Sequence, residues 1–150
     1  MFYWRDYPKP HRYESVADHT WRLVLLLILF EKKLSRKIDL DRAVKIAMVH
    51  DIPEIIAGDA PPIGSDGTGR DSHAFNKDVA KVRHKEEDKA AKEIFSKLPN
   101  KLGKELYDCW LELEEQKTYE AKVVKSLDRL ECAIQILEYR KGGLMVFLGV

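Results

Sequence analysis

Hydrophobic positions in this 150-residue chain recur at intervals of three and four, and no segment alternates long enough to predict a strand. Ser15-x-x-Asp18 has the form of a capping box ahead of an apolar run, so a first helix is expected over 16–34. Its eight-residue run from Leu23 to Phe30 is far short of the roughly 20 residues that cross a membrane, and it reads as a helix buried on most sides. Asp39 or Asp41 can cap a second helix that turns Ala43, Ile46, Ala47 and Val49 inward. Pro53 must then kink or end it, since proline lacks an N–H and clashes with the preceding turn. Gly58 to Asp71 holds Pro61, Pro62 and four of the eight glycines, and is expected to be a loop.

A third helix is expected over 75–97, where Val79, Val82, Ala90, Ile94 and Phe95 flank a charged stretch from Arg83 to Lys89. The alternating signs of that stretch suit a solvated face better than a binding patch. Beyond Pro99-Asn100, a fourth helix over 101–116 aligns Leu102, Leu106, Trp110 and Leu113. Thr118 caps a fifth, in which Val123, Leu127, Leu130, Ile134 and Leu137 follow a 4-3-4-3 spacing. The last nine residues, Gly142 to Val150, begin another helix or end the chain in an apolar tail. With no repeat and no linker, the expectation is one all-α domain over 1–150.

Composition narrows the class. Hydrophobic residues make up 45% and charged residues 34%, which excludes a collagen, a disulfide mini-scaffold and a wholly disordered chain. Lys and Arg number 26 against 25 Asp and Glu, without the basic excess of a nucleic-acid binder. Cys109 and Cys132 form no C-x-x-C pair and suit reduced thiols. Met1 to Asp6 carries no apolar leader, so a cytoplasmic protein with no membrane or nucleic-acid partner is expected.

The chain has no H-E-x-x-H, no phosphate-binding glycine loop and no G-x-S-x-G. It does have a dispersed set of metal-capable side chains: His19, the adjacent His50 and Asp51, Glu54 one turn further on, Asp59 and Asp128. If the helix continues through Pro53, Glu54 shares a face with His50 and Asp51. Each admits a plainer reading. His50-Asp51 can be the polar end of a helix, although Met48, Val49, Ile52, Ile55 and Ile56 around it suggest a core wall, where a carboxylate needs a partner or a metal. His19 can pack beside Trp21 or Arg22, and Asp128 can pair with Arg129 or Lys125. His11, His73 and His84 read as surface residues.

Four strings occur in order: Glu14-Ser15-Val16-Ala17-Asp18-His19, Val49-His50-Asp51-Ile52-Pro53-Glu54, Gly58-Asp59 and Ser126-Leu127-Asp128. This H…HD…D order resembles the HD-domain metal-dependent phosphohydrolases, within them the 5'-deoxynucleotidase subgroup typified by YfbR-like and HDDC2-like proteins. The similarity runs from about Arg12 to Tyr139. It implies an HD-domain bundle of five to six helices with a metal site in its core, and it leaves room for a domain incomplete at one or both ends. It further implies that His19, His50, Asp51 and Asp128 bind one divalent ion (Mn, Co, Fe, Zn, Ni or Mg), since this mixture of imidazole and carboxylate does not choose among them.

The implied reaction hydrolyses (deoxy)nucleoside 5'-monophosphates to nucleoside and phosphate, a step in nucleotide metabolism. By the resemblance Glu54 positions or deprotonates the attacking water, and Asp59 lies near the leaving 5'-oxygen. Arg12 is placed to meet the phosphate. The family's Arg-Trp pair, arginine on phosphate and tryptophan beside the sugar, occurs here reversed as Trp4-Arg5. The Gly64–Asp71 stretch is also longer and richer in glycine than the family pattern. A homo-oligomer, a dimer by family resemblance, is implied, and the tail from Leu144 to Leu148 suits such an interface or a truncated core helix. Two alternatives stand beside this reading. One is an HD hydrolase of a cyclic nucleotide or a guanosine pyrophosphate, disfavoured by a single metal set and by the lack of an adjacent Glu-Asp pair. The other is a non-catalytic nucleotide-binding module, disfavoured by the presence of both Glu54 and Asp59.

Overall fold

A computed structural model describes residues 14–59, 70–73 and 75–141, and every regular element among them is helical. Helix α1 spans Val16–Phe30 and runs into a 3-10 turn at Glu31–Lys33; α2 is Leu40–Val49, α3 Glu54–Ala57, α4 Lys77–Phe95, α5 Asn100–Glu115 and α6 Tyr119–Lys141. The all-α expectation holds, and most boundaries fall within a few residues of those expected. The apolar tail beyond Lys141 lies outside the described residues. No helix among the described residues is long and apolar enough to cross a membrane.

Short-range chemistry sets the helix ends. Ser15 Oγ accepts the Asp18 N–H while the Asp18 carboxylate accepts the Ser15 N–H at 3.0 Å, the reciprocal cap read from the sequence, a device worth about 1 kcal/mol. Asp39 Oδ1 accepts the Arg42 N–H at 3.0 Å and opens α2. Thr118 Oγ1 accepts the Ala121 N–H at 3.1 Å and opens α6. Helix α2 does not continue through Pro53. It stops at Val49, and the chain crosses 50–53 in tight turns, Ile52 N–H to Val49 O at 3.2 Å and Glu54 N–H to Asp51 O at 3.0 Å, before α3 starts with Pro53 as its cap. The missing proline N–H and the clash with the previous turn explain the break. Helix α3 closes at Gly58, whose φ of 81° is a conformation that side chains resist.

The described residues form two compact units, one reaching to Met48 and resuming at Leu111, the other spanning Val49–Trp110. In the first, α1 packs on α6, and Leu23, Leu27, Ile46, Leu113, Val124 and Leu127 are buried. Arg42 places Nε and Nη2 on Glu112 Oε2 at 2.8 and 2.6 Å, tying α2 to the end of α5. In the second, α3 packs on α4, and Ala90, Ala91, Phe95, Cys109 and Trp110 are buried.

Several expected core positions are exposed. The Leu23–Phe30 run buries Leu23 and Leu27, but Ile28, Leu29 and Phe30 face solvent, because eight consecutive apolar residues cover every side of a helix and only one side has a partner. Met48, Ile55 and Ile56, expected as a core wall, are exposed, as are Val82 and Leu102. On α6, Leu130 and Leu137 are exposed, and its buried stripe instead carries Val124, Leu127, Asp128 and Glu131.

Gly103 is buried in α5 with no room for a side chain: a Cβ there would lie 2.2 Å from the Phe95 carbonyl oxygen. Alanine's helix preference is worth about 1 kcal/mol, whereas overpacking against backbone costs about 1–3 kcal/mol or more. Gly103→Ala should therefore lower the urea midpoint. A midpoint equal to or above wild type would show that α5 shifts away from Phe95 at little cost.

Candidate functional site

The candidate residues of the first unit meet where α1 packs on α6. His19 and Arg22, three residues apart on α1, face Asp128 and Glu131, three apart on α6. His19 Nδ1 lies 2.5 Å from Glu131 Oε2, and its Nε2 lies 3.2 Å from Asp128 Oδ1. Lys125 Nζ donates to Asp128 Oδ2 at 2.9 Å. Glu131 is 0% exposed and Arg22 5%. Arg22 donates to Glu131 Oε1 from its Nε, to Glu138 Oε2 from Nη1 at 2.6 Å and to Glu14 Oε1 from Nη2 at 2.9 Å. Burial pushes the Glu14 carboxyl up, the Glu131 charge adds to this, and the Arg22 charge opposes it. A buried charge costs several kcal/mol unless paired, and stranding one partner of such a pair costs about 3–5 kcal/mol.

This donor set fits a cation. Where one ring nitrogen of a neutral histidine holds the proton, the other carries a lone pair, and a carboxylate oxygen carries lone pairs only. Facing each other across 3.2 Å, His19 Nε2 and Asp128 Oδ1 suit a shared positive charge, with a buried carboxylate behind the ring in the manner of metal-bound histidines. His19, Glu131 and Cys132 also offer one ligand atom each within 4.8 Å of one another. Glu131 is already engaged by Arg22 and His19, so this trio is a weaker ligand set than the His19–Asp128 pair.

In the second unit, His50 Nε2 lies 3.0 Å from Asp51 Oδ1, with the imidazole buried and the carboxylate half-buried. Glu54 opens α3, and its Oε1 accepts from Arg83 Nη2 of α4 at 2.9 Å; Arg83 Nε in turn donates to Glu87 Oε1 at 2.6 Å. Burial pushes the Glu54 carboxyl up to about 7, the Asp51 and Asp59 charges push the same way, and the Arg83 guanidinium opposes them. A carboxyl titrating near neutral pH can both take and give a proton at working pH. Asp59 is exposed, just past Gly58.

His19 and Asp128 are thus together in one unit, and His50, Asp51 and Glu54 in the other. Trp4, Arg5 and Arg12, expected at the substrate, lie outside the described residues. Asp128 does pair with Lys125, the plainer reading of it, but faces His19 as well. Three residues were not singled out from sequence. Arg22 and Glu131 carry a detectable signal, two charged residues three positions from two metal-capable ones. Arg83 was assigned to a solvated face, yet its side chain is only 15% exposed and bridges two carboxylates. His84, read as a surface residue, is exposed but stacks on Trp110 at 5.9 Å.

An all-α domain carrying two His–Asp pairs, with a proton-holding carboxyl beside one of them, defines the class. The chain belongs to the HD domain family, whose model matches residues 4–147. It is 37% identical over 138 residues to the 5'-deoxynucleotidase HDDC2 of Xenopus laevis, covering 92% of this chain and 60% of that one. It is 37% identical over 134 residues to the human protein of the same name, covering 89% and 58%. Among solved structures it resembles a "predicted metal-dependent phosphohydrolase" from Magnetospirillum magnetotacticum MS-1, with a TM-score of 0.67 and 25% identity over 88% of this chain and 59% of that one. The chain therefore spans about three fifths of the length of these relatives.

The raised Glu54 carboxyl has a stability signature. The folded protein holds this proton more tightly than the unfolded chain, so the residue's contribution to stability falls as pH rises from 4.5 to about 7. In metal-free protein, Glu54→Gln should gain on wild type across that window, followed by urea unfolding at several pH values. A difference constant with pH would contradict the raised carboxyl.

Proposed function

We propose that this chain is a metal-dependent phosphomonoesterase that hydrolyses (deoxy)nucleoside 5'-monophosphates, with one divalent ion held by His19, His50, Asp51 and Asp128. The observation that carries this reading is the His19–Asp128 pair, ligand atom facing ligand atom 3.2 Å apart on neighbouring helices. The relatives named as 5'-deoxynucleotidases supply the substrate class. Bound there, a divalent ion supplies charge to offset the phosphoryl oxygens and lowers the pKa of water toward neutrality.

The remaining work falls to side chains. Glu54 positions the attacking water and takes its proton, a role suited to a carboxyl raised to about 7 and steadied by Arg83. Asp59 delivers a proton to the departing 5'-oxygen. Arg12 and Arg5 bind the phosphate, and Trp4 lies along the sugar. We further infer a cytoplasmic dimer, which the family resemblance supports. The mixed imidazole and carboxylate donors leave the ion's identity open among Mn, Co, Fe, Zn, Ni and Mg.

Phosphate release from a panel of deoxynucleoside and ribonucleoside monophosphates, with Mn or Co added, tests this directly. Turnover should need the ion and stop with a chelator. Glu54→Ala should keep bound metal and lose turnover by about 10²- to 10⁴-fold. Full activity in that variant would remove Glu54 from the reaction. No turnover across the panel by protein that holds metal would point to a nucleotide-binding module.

A further inference from the structure

We propose that Glu131 is a positioning residue for the metal site: it fixes the proton of His19 on Nδ1, and Arg22 fixes Glu131. The inference rests on the reading of His19 as a ligand.

His19 has a carboxylate at each ring nitrogen, Glu131 Oε2 at 2.5 Å from Nδ1 and Asp128 Oδ1 at 3.2 Å from Nε2. A neutral ring has one proton to share between them. Three features direct it to Nδ1. The Glu131 contact is much the shorter. Glu131 is 0% exposed, so water cannot take the place of the imidazole N–H as its donor. Asp128, by contrast, already has the Lys125 ammonium on its second oxygen at 2.9 Å. With the proton on Nδ1, the Nε2 lone pair points toward Asp128, the direction in which a cation is bound.

Arg22 sets the acceptor. Its Nε donates to Glu131 Oε1, leaving Oε2 for the imidazole, and its outer nitrogens are held by Glu138 at 2.6 Å and Glu14 at 2.9 Å. The guanidinium is thus anchored on three carboxylates and cannot swing away without leaving them unpaired. The pairs step along both helices in the same sense, His19 to Asp128 and Glu131, then Arg22 to Glu131 and Glu138, so the chain that aims the ring also sets the register of α1 on α6. Glu131 has both oxygens occupied and touches no reacting atom.

The test reads the proton itself. Long-range 1H–15N spectra of metal-free wild-type protein at pH 8, with the His19 ring assigned through His19→Gln, should show the Nδ1–H tautomer. Calorimetric titration with Mn or Co then compares variants. Glu131→Gln can offer an amide N–H to the ring, so it should move the proton toward Nε2 and weaken metal binding by about 10- to 100-fold. Glu131→Asp keeps an acceptor and should retain the Nδ1–H tautomer. A wild-type His19 protonated on Nε2 would overturn the proposal, as would a folded Glu131→Gln with wild-type metal affinity. A melting temperature lowered with affinity unchanged would reduce Glu131 to a structural role. If Glu131→Gln fails to fold, the wild-type and Glu131→Asp spectra still decide. Wild-type protein that shows the expected tautomer but binds no metal would support the proton assignment and refute the metal reading instead.

Discussion

Arg22 is a charge placed where water does not reach, and much of one unit follows from how that charge is met. A guanidinium that is 5% exposed is tolerable only among acceptors, and it collects carboxylates from Glu131, Glu138 and Glu14. Meeting them requires α1 and α6 to pack in one register. A shift of either helix by one residue would carry Glu131 off the shared face and leave two buried charges unmatched. The same register brings His19 against Asp128. Apolar packing holds these helices together, through Leu23, Leu27, Val124 and Leu127, but it is tolerant of sliding; the polar contacts supply the alignment.

The second unit treats its carboxylate differently. Glu54 at the start of α3 is half-buried, with Asp51 and Asp59 acting on it from one side and a single guanidinium, Arg83, from the other. Arg83 is itself shared with Glu87, so it cannot fully offset the burial and the like charges. The outcome is a carboxyl balanced near neutrality rather than locked in one charge state, which is the property an acid–base group needs. Pro53 contributes by ending α2 early, so that Glu54 starts a new helix rather than extending the one that ends beside His50.

Local signals in the sequence proved accurate because local physics produces them. The capping box at Ser15, the Thr118 cap and the break at Pro53 need only a few adjacent residues, and each stands as expected. Burial was less legible. Counting apolar residues on α6 favoured Leu130 and Leu137, which are exposed, over Asp128 and Glu131, which are buried, because the count treats a charged residue as a surface residue. What buries Glu131 is an arginine 109 positions away. No local spacing announces such a pair, although the matching three-residue steps, His19 to Arg22 and Asp128 to Glu131, are visible once the two helices are known to touch. Arg83 escaped notice for a similar reason: alternating charge describes a solvated face until a second helix, here α3, covers part of it.

Membership of the HD domain family, the His19–Asp128 pair and the balanced Glu54 carboxyl converge on one claim, that the chain is built to hold a divalent ion. Elemental analysis of protein purified without chelator, for wild type beside Asp128→Asn, tests that claim most directly. The account predicts about one divalent ion per wild-type chain and its loss from a folded Asp128→Asn. Wild-type protein without stoichiometric metal, or a variant that retains it in full, would contradict the account.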